Sequence, residues 1–447
     1  MGGGAAGIGA AGAAKQADPN AEVTVFTEFE DVGYSPCGIP YVHGREIEGF
    51  QGLILQGKEF YQNAGLDIRY ETTVAGIDVP GHAVVLASGE RVAFDRLVVA
   101  TGFNYADPGV PGSDLEGLHY VKNIRRAMEW DPILDSAKSA VVVEASPLGL
   151  EMTTALAHRG LETHLVDSHP WALAEVADPD IMKPVQDSWA EMGVQMHFNT
   201  KLEAFVPGRG DQAKVVKGVR TSEGEIPADI VVVCTHKQPN NHLAREAGLE
   251  IGSTGGIVVD ERMATSASGV FAAGDCVEVP QGFTMLPLQG LSGSHAYSQG
   301  KTAGTNAANG DRRYDPVFVP WGMVAGKWMI GGVSFGETTA GALGMPFHLG
   351  VATGISRARY YPGIHKILVK LLAEPKTLRI IGAQLVGGEG IKERADFLAM
   401  ASKKGITMRD LAVMENVYSP PIGALNEPIA LAAQNGLARL AQAGKPA

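Results

Sequence analysis

Cysteine is scarce. Three residues in a chain of 447 are too few for a disulfide framework, so each is read on its own. Long apolar runs are missing too: no window reaches the ~18–20 uninterrupted apolar residues of a membrane-crossing helix. The opening MGGGAAGIGAAGAAKQ has neither the basic start nor the strongly apolar centre of a signal peptide, and a cytoplasmic protein is expected. Positive charge is in deficit, with 37 Lys and Arg against 49 Asp and Glu and a net charge of −12. Neutralising phosphates takes clustered cations, so neither nucleic acid nor an anionic membrane is expected as a partner. The histidines do not pair with cysteines or carboxylates at ligand spacing, which leaves no metal centre in prospect. No G-x-S-x-G nucleophile elbow stands at a strand–helix turn.

What the chain has is glycine, 57 residues of it, in an ordinary globular background of 45% hydrophobic and 19% charged residues. Its length calls for two to four domains. Strand and helix patterns alternate, which implies α/β architecture with parallel sheets. Glycine-bearing turns at 2–7 and 144–149 each lead into an alanine-rich helical run. A strand follows each, VTVF at 23–26 and THLV at 163–166. DRLVVATG (95–102) and ADIVVVCT (228–235) close a unit after each turn, and GVFAAGD (269–275) reads as a buried strand running into an acidic turn. Two Rossmann-like units follow. From about Pro320 the composition changes: YYPGIHKILVKLL and RIIGAQLVGG suggest antiparallel strands, and helical patterns at 391–404 and 425–442 finish an α+β domain. The boundaries expected are 1–110, 111–250, 251–318 and 319–447, with the first and third segments forming one unit.

The first turn, Gly2-x-Gly4-x-x-Gly7, is a complete G-x-G-x-x-G. Its glycines permit a sharp backbone turn and let a pyrophosphate approach the positive end of the following helix. Thr27 and Glu28 stand where a ribose-binding carboxylate is expected. The hydrophobic strand that should precede this turn, the central strand of its sheet, is absent. In YSPCGIPY (34–41), Cys37 lies near a turn or helix start, where backbone N–H groups favour a thiolate. Position 42 is Val42, which excludes a C-x4-C dithiol. Cys234, inside VVVC, and Cys276, after GD, read as packing residues, and His43 reads equally well as a surface residue.

On these residues the chain resembles the pyridine nucleotide-disulfide oxidoreductases, in the branch of coenzyme A disulfide reductases, NADH oxidases and sulfur reductases with a single active-site cysteine. The likeness runs from GGGAAG through SPCGIPY, ATG (100–102), FAAGDC (271–276) and RARYYPG (357–363) to VYSPP (417–421). It implies an FAD domain split in sequence, an inserted NAD(P)-type domain, a C-terminal dimerisation domain and a homodimer. It implies FAD along Gly2, Gly4 and Gly7, with Asp275 on the ribityl chain and Thr101 and Gly102 lining the adenine-side nucleotide site. It implies Tyr361 and Tyr418 near the cysteine–flavin site, across the dimer. A cysteine beside flavin exchanges electrons with a small thiol, disulfide or sulfur species, so an FAD-dependent oxidoreductase acting on sulfur through Cys37 is expected. The alternative is a non-catalytic or electron-transfer flavoprotein subunit descended from such reductases. Several positions depart from the family. Thr27 replaces the ribose glutamate and shifts that role to Glu28. Ala13, Gln16, Gly33 and Pro36 replace coenzyme A contacts, which counts against coenzyme A disulfide as substrate. The first turn also lacks the histidine that marks peroxide-type and water-forming oxidases.

The second turn, in SAVVVEASPLGLEMTTAL (139–156), reads as a degenerate NAD(P) site. Glu144 and Ser146 stand where glycines belong, with Gly149 retained. Ser146-Pro147 is a self-contained helix start. A carboxylate ~5 Å from a phosphate charge costs roughly 3 kcal/mol at an effective dielectric of 20, about a hundredfold in affinity. His236 replaces a glycine that lets nicotinamide approach, while Asp167 keeps the place of a ribose acceptor. NAD(P)H therefore reads as a doubtful donor, with a partner redox protein or thiols as the other route for electrons.

Overall fold

The computed structural model describes residues 1–442 and 444. In the first unit, Val23–Phe26 pairs in parallel with Leu66–Arg69, and Leu97–Val99 pairs in parallel with Val270–Ala272. The first two residues bridge the two pairs. The Met1 amine donates to Val98 O at 2.8 Å, Met1 O accepts from Ala100 N, and Gly2 N donates to Phe26 O, both at 2.9 Å. The alanine-rich helix Ala5–Ala17 buries Ala6, Ala10 and Ala13 and packs on the helix Gly293–Ala307. A Cβ on Gly300 would fall 2.1 Å from Ala6 O, so small residues here serve backbone contact.

The second unit is a five-stranded parallel sheet in the order Gln195–His197, Glu162–Val166, Ser139–Val143, Ile230–Val233, Leu118–His119. Its central strands are continuous apolar runs because both faces are covered. Ala140 and Val142 face a core with Leu150 and Leu156 of the helix Pro147–His158 and Ile181 and Trp189 of the helix Pro179–Glu191. Val141 and Val143 face the opposite way, against Phe205, Val216 and Val219 of an antiparallel three-stranded sheet. The period-two alternation of a strand thus divides one segment between two cores.

The C-terminal part is a five-stranded antiparallel sheet in the order Pro320–Ala325, Trp328–Ser334, Ile380–Gly387, Lys366–Ala373, His348–Ile355. The helices Ile391–Lys403 and Pro428–Gln442 pack on it, with a short helix Met408–Ala412 between them in sequence. The strand expected over YYPGIHKILVKLL is confined to its second half; the tyrosines lie ahead of it, where Pro362 and Gly363 interrupt the run. A buried ion cluster fastens this sheet to the second unit. Lys370 Nζ lies 2.8 Å from Asp178 Oδ2 and 2.8 Å from Asp180 Oδ1. Both Lys370 and Asp178 have side chains 2% exposed. Gln384 accepts from Asp178 N at 2.8 Å and donates to Val176 O at 3.0 Å. No helix among the described residues is long and apolar enough to cross a membrane.

Candidate active site

The first turn has the form a dinucleotide needs. The helix Ala5–Ala17 starts at Gly4 with no side-chain cap, so its first N–H groups keep their hydrogen-bonding capacity for a phosphate. Nothing lies within 4 Å of where a Gly4 Cβ would be, whereas a Cβ on Gly7 would fall 1.8 Å from Gly2 O. The turn is tight underneath and open where a ligand would approach. These residues fit the pyrophosphate of FAD. Thr27 is buried and its Oγ1 accepts from Phe29 N at 3.3 Å, while Glu28 is exposed on the rim. Thr101 Oγ1 donates to Asn240 O at 2.6 Å, Asn240 Nδ2 donates to Thr101 O at 2.9 Å, and Asn240 N donates to Gly102 O at 2.9 Å. Thr101 and Gly102 therefore tie together the two crossings between units, and the Thr101 hydroxyl is committed to protein.

Cys37 sits in a single 3₁₀ turn, Pro36–Gly38, that runs into the short helix Ile39–His43. Its side chain reaches solvent at one side while surrounding protein crowds the rest of it. Three distant segments bring charge to it: Lys237, Asp275 and Glu151. Lys237 Nζ lies 3.3 Å from Asp275 Oδ2 and donates to Leu291 O at 3.0 Å and Gly290 O at 3.3 Å. It also sits 4.6 Å from the centroid of the Phe103 ring, over which Lys122 Nζ stands at 4.8 Å. Burial raises the Asp275 carboxyl, against the pull of Lys237 and Lys122. The thiolate expected at Cys37 from its place near a helix start is corrected here. Surrounding protein raises the thiol first and the Glu151 carboxylate adds to it; Lys237 opposes them, and Asp275 raises it again. One short turn supplies too little dipole to outweigh burial and two carboxylates.

Several site residues were not singled out in the sequence. Glu151 lies two positions after Gly149, and its Oε1 accepts from Tyr41 Oη at 3.2 Å. Burial pushes its carboxyl up to about 7. Lys237 adjoins His236, and the helical spacing of Tyr41 from Cys37 was its available signal. Cys234 and Cys276 are fully buried, and Cys276 Sγ donates to Ala273 O at 3.3 Å. His43 is also fully buried, with Nδ1 2.8 Å from Asp131 Oδ1, which corrects its surface reading. Tyr361 and Tyr418 lie exposed on the C-terminal part. The hydroxyl partner of Tyr418 within the chain is Tyr360, at 3.1 Å. Neither Tyr361 nor Tyr418 is among the groups acting most strongly on Cys37.

The second turn keeps the shape of the first without its glycines. Glu144 takes the left-handed backbone itself, at φ 72°, and a Cβ on Gly149 would fall 2.0 Å from Glu144 O, as on Gly7 against Gly2. Ser146 caps the helix Pro147–His158. Its Oγ accepts from Gly149 N at 3.3 Å and donates to Cys234 O at 2.6 Å. Asp167 is buried; Oδ2 accepts from Ala145 N at 2.6 Å and Oδ1 from His169 N at 2.7 Å. Burial and then the Asp167 charge raise Glu144, with His236 and His169 opposing, so its carboxyl is shifted toward the neutral form. His236 is exposed. The turn therefore keeps the backbone course of a glycine-bearing turn despite Glu144 and Ser146.

Comparison with known proteins agrees with this architecture. The chain is 33% identical over 447 residues to an NADH oxidase of Methanocaldococcus jannaschii, covering 98% of each. It is 30% identical to an NAD(P)H sulfur oxidoreductase (CoA-dependent) of Pyrococcus abyssi, covering 97% of this chain and 96% of that one. A solved NAD-dependent persulfide reductase from A. fulgidus superposes with a TM-score of 0.93 at 30% identity, over 99% of this chain and 83% of that chain. The profile described as pyridine nucleotide-disulphide oxidoreductase matches residues 1–300, and that of the corresponding dimerisation domain matches residues 323–428. With this fold, this cysteine and these matches, the chain belongs to the pyridine nucleotide-disulphide oxidoreductase family.

Proposed function

We propose that this protein is an FAD-dependent reductase that uses NAD(P)H to reduce disulfide, persulfide or polysulfide sulfur at Cys37, working as a homodimer. The observation that carries the proposal is the convergence of exposed Cys37 with Lys237 and Asp275, from three segments far apart in sequence. Relatives named for NAD(P)H-dependent sulfur reduction and NAD-dependent persulfide reduction support nicotinamide as donor and replace the reading that doubted it. The dimerisation-domain match supports a homodimer.

Gly2, Gly4 and Gly7 would hold the FAD pyrophosphate and Asp275 its ribityl chain. When bound, FAD relays the electron pair of NAD(P)H to sulfur. The Cys37 thiolate attacks a sulfur of the substrate R–S–S–R′, forming Cys37–S–S–R and releasing R′–S⁻. Two electrons then split the mixed disulfide into Cys37–S⁻ and R–S⁻, and two protons complete the thiols. The raised thiol makes Lys237 the group that favours thiolate. Anaerobic turnover of polysulfide and of a small disulfide with NADH tests the reading. Cys37→Ser is expected to lose sulfur turnover while keeping flavin and its reduction by NADH; full sulfur turnover in that variant overturns it and leaves an electron-transfer flavoprotein.

A further inference from the structure

Glu151 has no part in the electron path above, yet it lies at the centre of the site's electrostatics. Its carboxylate acts on Cys37, Tyr41, Tyr105 and Cys234. Among the described residues the Tyr41 hydroxyl is its hydrogen-bond partner and no cation is paired with it. A buried carboxyl without a cation favours its protonated form. Glu151 and Tyr41 also form one wall of a cavity of about 340 Å³ whose other walls carry Glu46, His158, Lys327, His365 and Glu389. The far groups reach solvent: the side chains of His158 and Glu46 are 41% and 48% exposed and lie 3.7 Å apart. Titratable groups therefore run from the surface to a half-buried carboxyl whose hydrogen-bond partner, Tyr41, lies four residues after Cys37 in the adjoining helix.

We propose that Glu151 is the proton reservoir of the sulfur step, passing its proton through the Tyr41 hydroxyl to the thiolate released at Cys37 and refilling from the cavity. This rests on the sulfur-reductase reading. When Cys37–S⁻ opens R–S–S–R′, the departing R′–S⁻ takes the proton and leaves as R′–SH, and Glu151 becomes carboxylate. It is reprotonated from solvent by way of the cavity. NAD(P)H supplies the two electrons that split Cys37–S–S–R, and the second thiolate, R–S⁻, takes the next proton from Glu151. The sum is R–S–S–R′ + NAD(P)H + H⁺ → R–SH + R′–SH + NAD(P)⁺: two protons are drawn from solvent through Glu151, and the proton that the hydride leaves behind once its electron pair has passed to sulfur returns to solvent. Charge also matches: an ionised Glu151 beside Cys37 disfavours a second anion, so giving up the proton is coupled to removal of the thiolate product.

The experiment uses the full-length flavoprotein with Glu151→Gln, Glu151→Asp and Tyr41→Phe. In the parent protein the sulfur step is expected to slow as pH rises through about 7, where the reservoir empties. Glu151→Gln should cost about a hundredfold in that step and lose the inflection. Glu151→Asp should restore the inflection, and Tyr41→Phe should slow the step and keep it. Iodoacetamide alkylation of Cys37 against pH is the readout free of substrate and turnover. The parent should titrate in two steps, because ionising Glu151 raises the thiol, and Glu151→Gln in one. Superimposable alkylation curves for the parent and Glu151→Gln overturn the proposal. Loss of the sulfur-reductase reading would show separately, as sulfur turnover persisting in Cys37→Ser.

Discussion

Lys237 Nζ lies 3.3 Å from Asp275 Oδ2 and acts on Cys37 as the cation that opposes burial and two carboxylates. Lys237→Met should therefore make the thiol harder to ionise and slow its alkylation at neutral pH about two- to threefold, a modest effect because solvent screens a charge pair at an exposed side chain. Lys237→Arg should hold it near the parent value. Equal alkylation rates in Lys237→Met and parent would remove Lys237 from this role.

The Glu144 carboxyl is raised by burial and by Asp167, and a bound pyrophosphate favours its neutral form further. The affinity for NADH is then full below the Glu144 titration and falls as pH rises through it. Glu144→Gln should flatten the dependence of KM for NADH on pH. Glu144→Gly should do the same and relieve about 1 kcal/mol of left-handed strain, visible as a higher Tm. A KM that is flat in the parent, or unchanged in slope in Glu144→Gln, would contradict this.

Asp167 is buried and bonded to Ala145 N and His169 N, so its carboxylate is fixed at a strand end, the position from which dinucleotide-binding folds in general read a ribose 2′ group. A 2′-phosphate beside it would meet like charge. Flavin reduction by NADH is expected to saturate at concentrations at least tenfold below those for NADPH, roughly 1.4 kcal/mol. Stopped-flow reduction with each donor decides it.

The Lys370 cluster should govern the stability of the junction between the second unit and the C-terminal sheet. Burial alone would raise the Asp178 carboxyl, but Lys370 and the N–H groups of Thr338 and Glu337 hold it below the usual range. Its contribution is thus complete above the ordinary carboxylate value and is lost as pH falls through the depressed one. Lys370→Met should cost about 3–5 kcal/mol, the cost of stranding a buried charge. It should also move acid unfolding to higher pH. Denaturant titration across pH measures both effects.

Much of this architecture is legible along the chain, because the signals are local. Gly2, Gly4 and Gly7 ahead of an alanine-rich helix announce a nucleotide turn. The run Val141–Val143 has no polar alternation and so announces a strand covered on both faces. Ser146-Pro147 announces a capped helix start, and Ser146 Oγ does accept from Gly149 N. That Met1 and Gly2 bridge the two strand pairs of the first unit is not legible, since their partners Val98, Ala100 and Phe26 come from elsewhere.

The sequence by itself determined the family and singled out Cys37 as the candidate for its chemistry, because motif and hydrophobic period act over a few residues. The tertiary structure alone decided which groups surround that cysteine. A helix-start position favours thiolate, but Glu151, Lys237 and Asp275 arrive from three other segments and, with burial, reverse the balance. It likewise decided that Glu144 bends into a glycine's conformation, so that the second turn survives its substitutions. Charge and desolvation act through space over distances the chain crosses only by folding, and residues more than a hundred positions apart set each other's protonation.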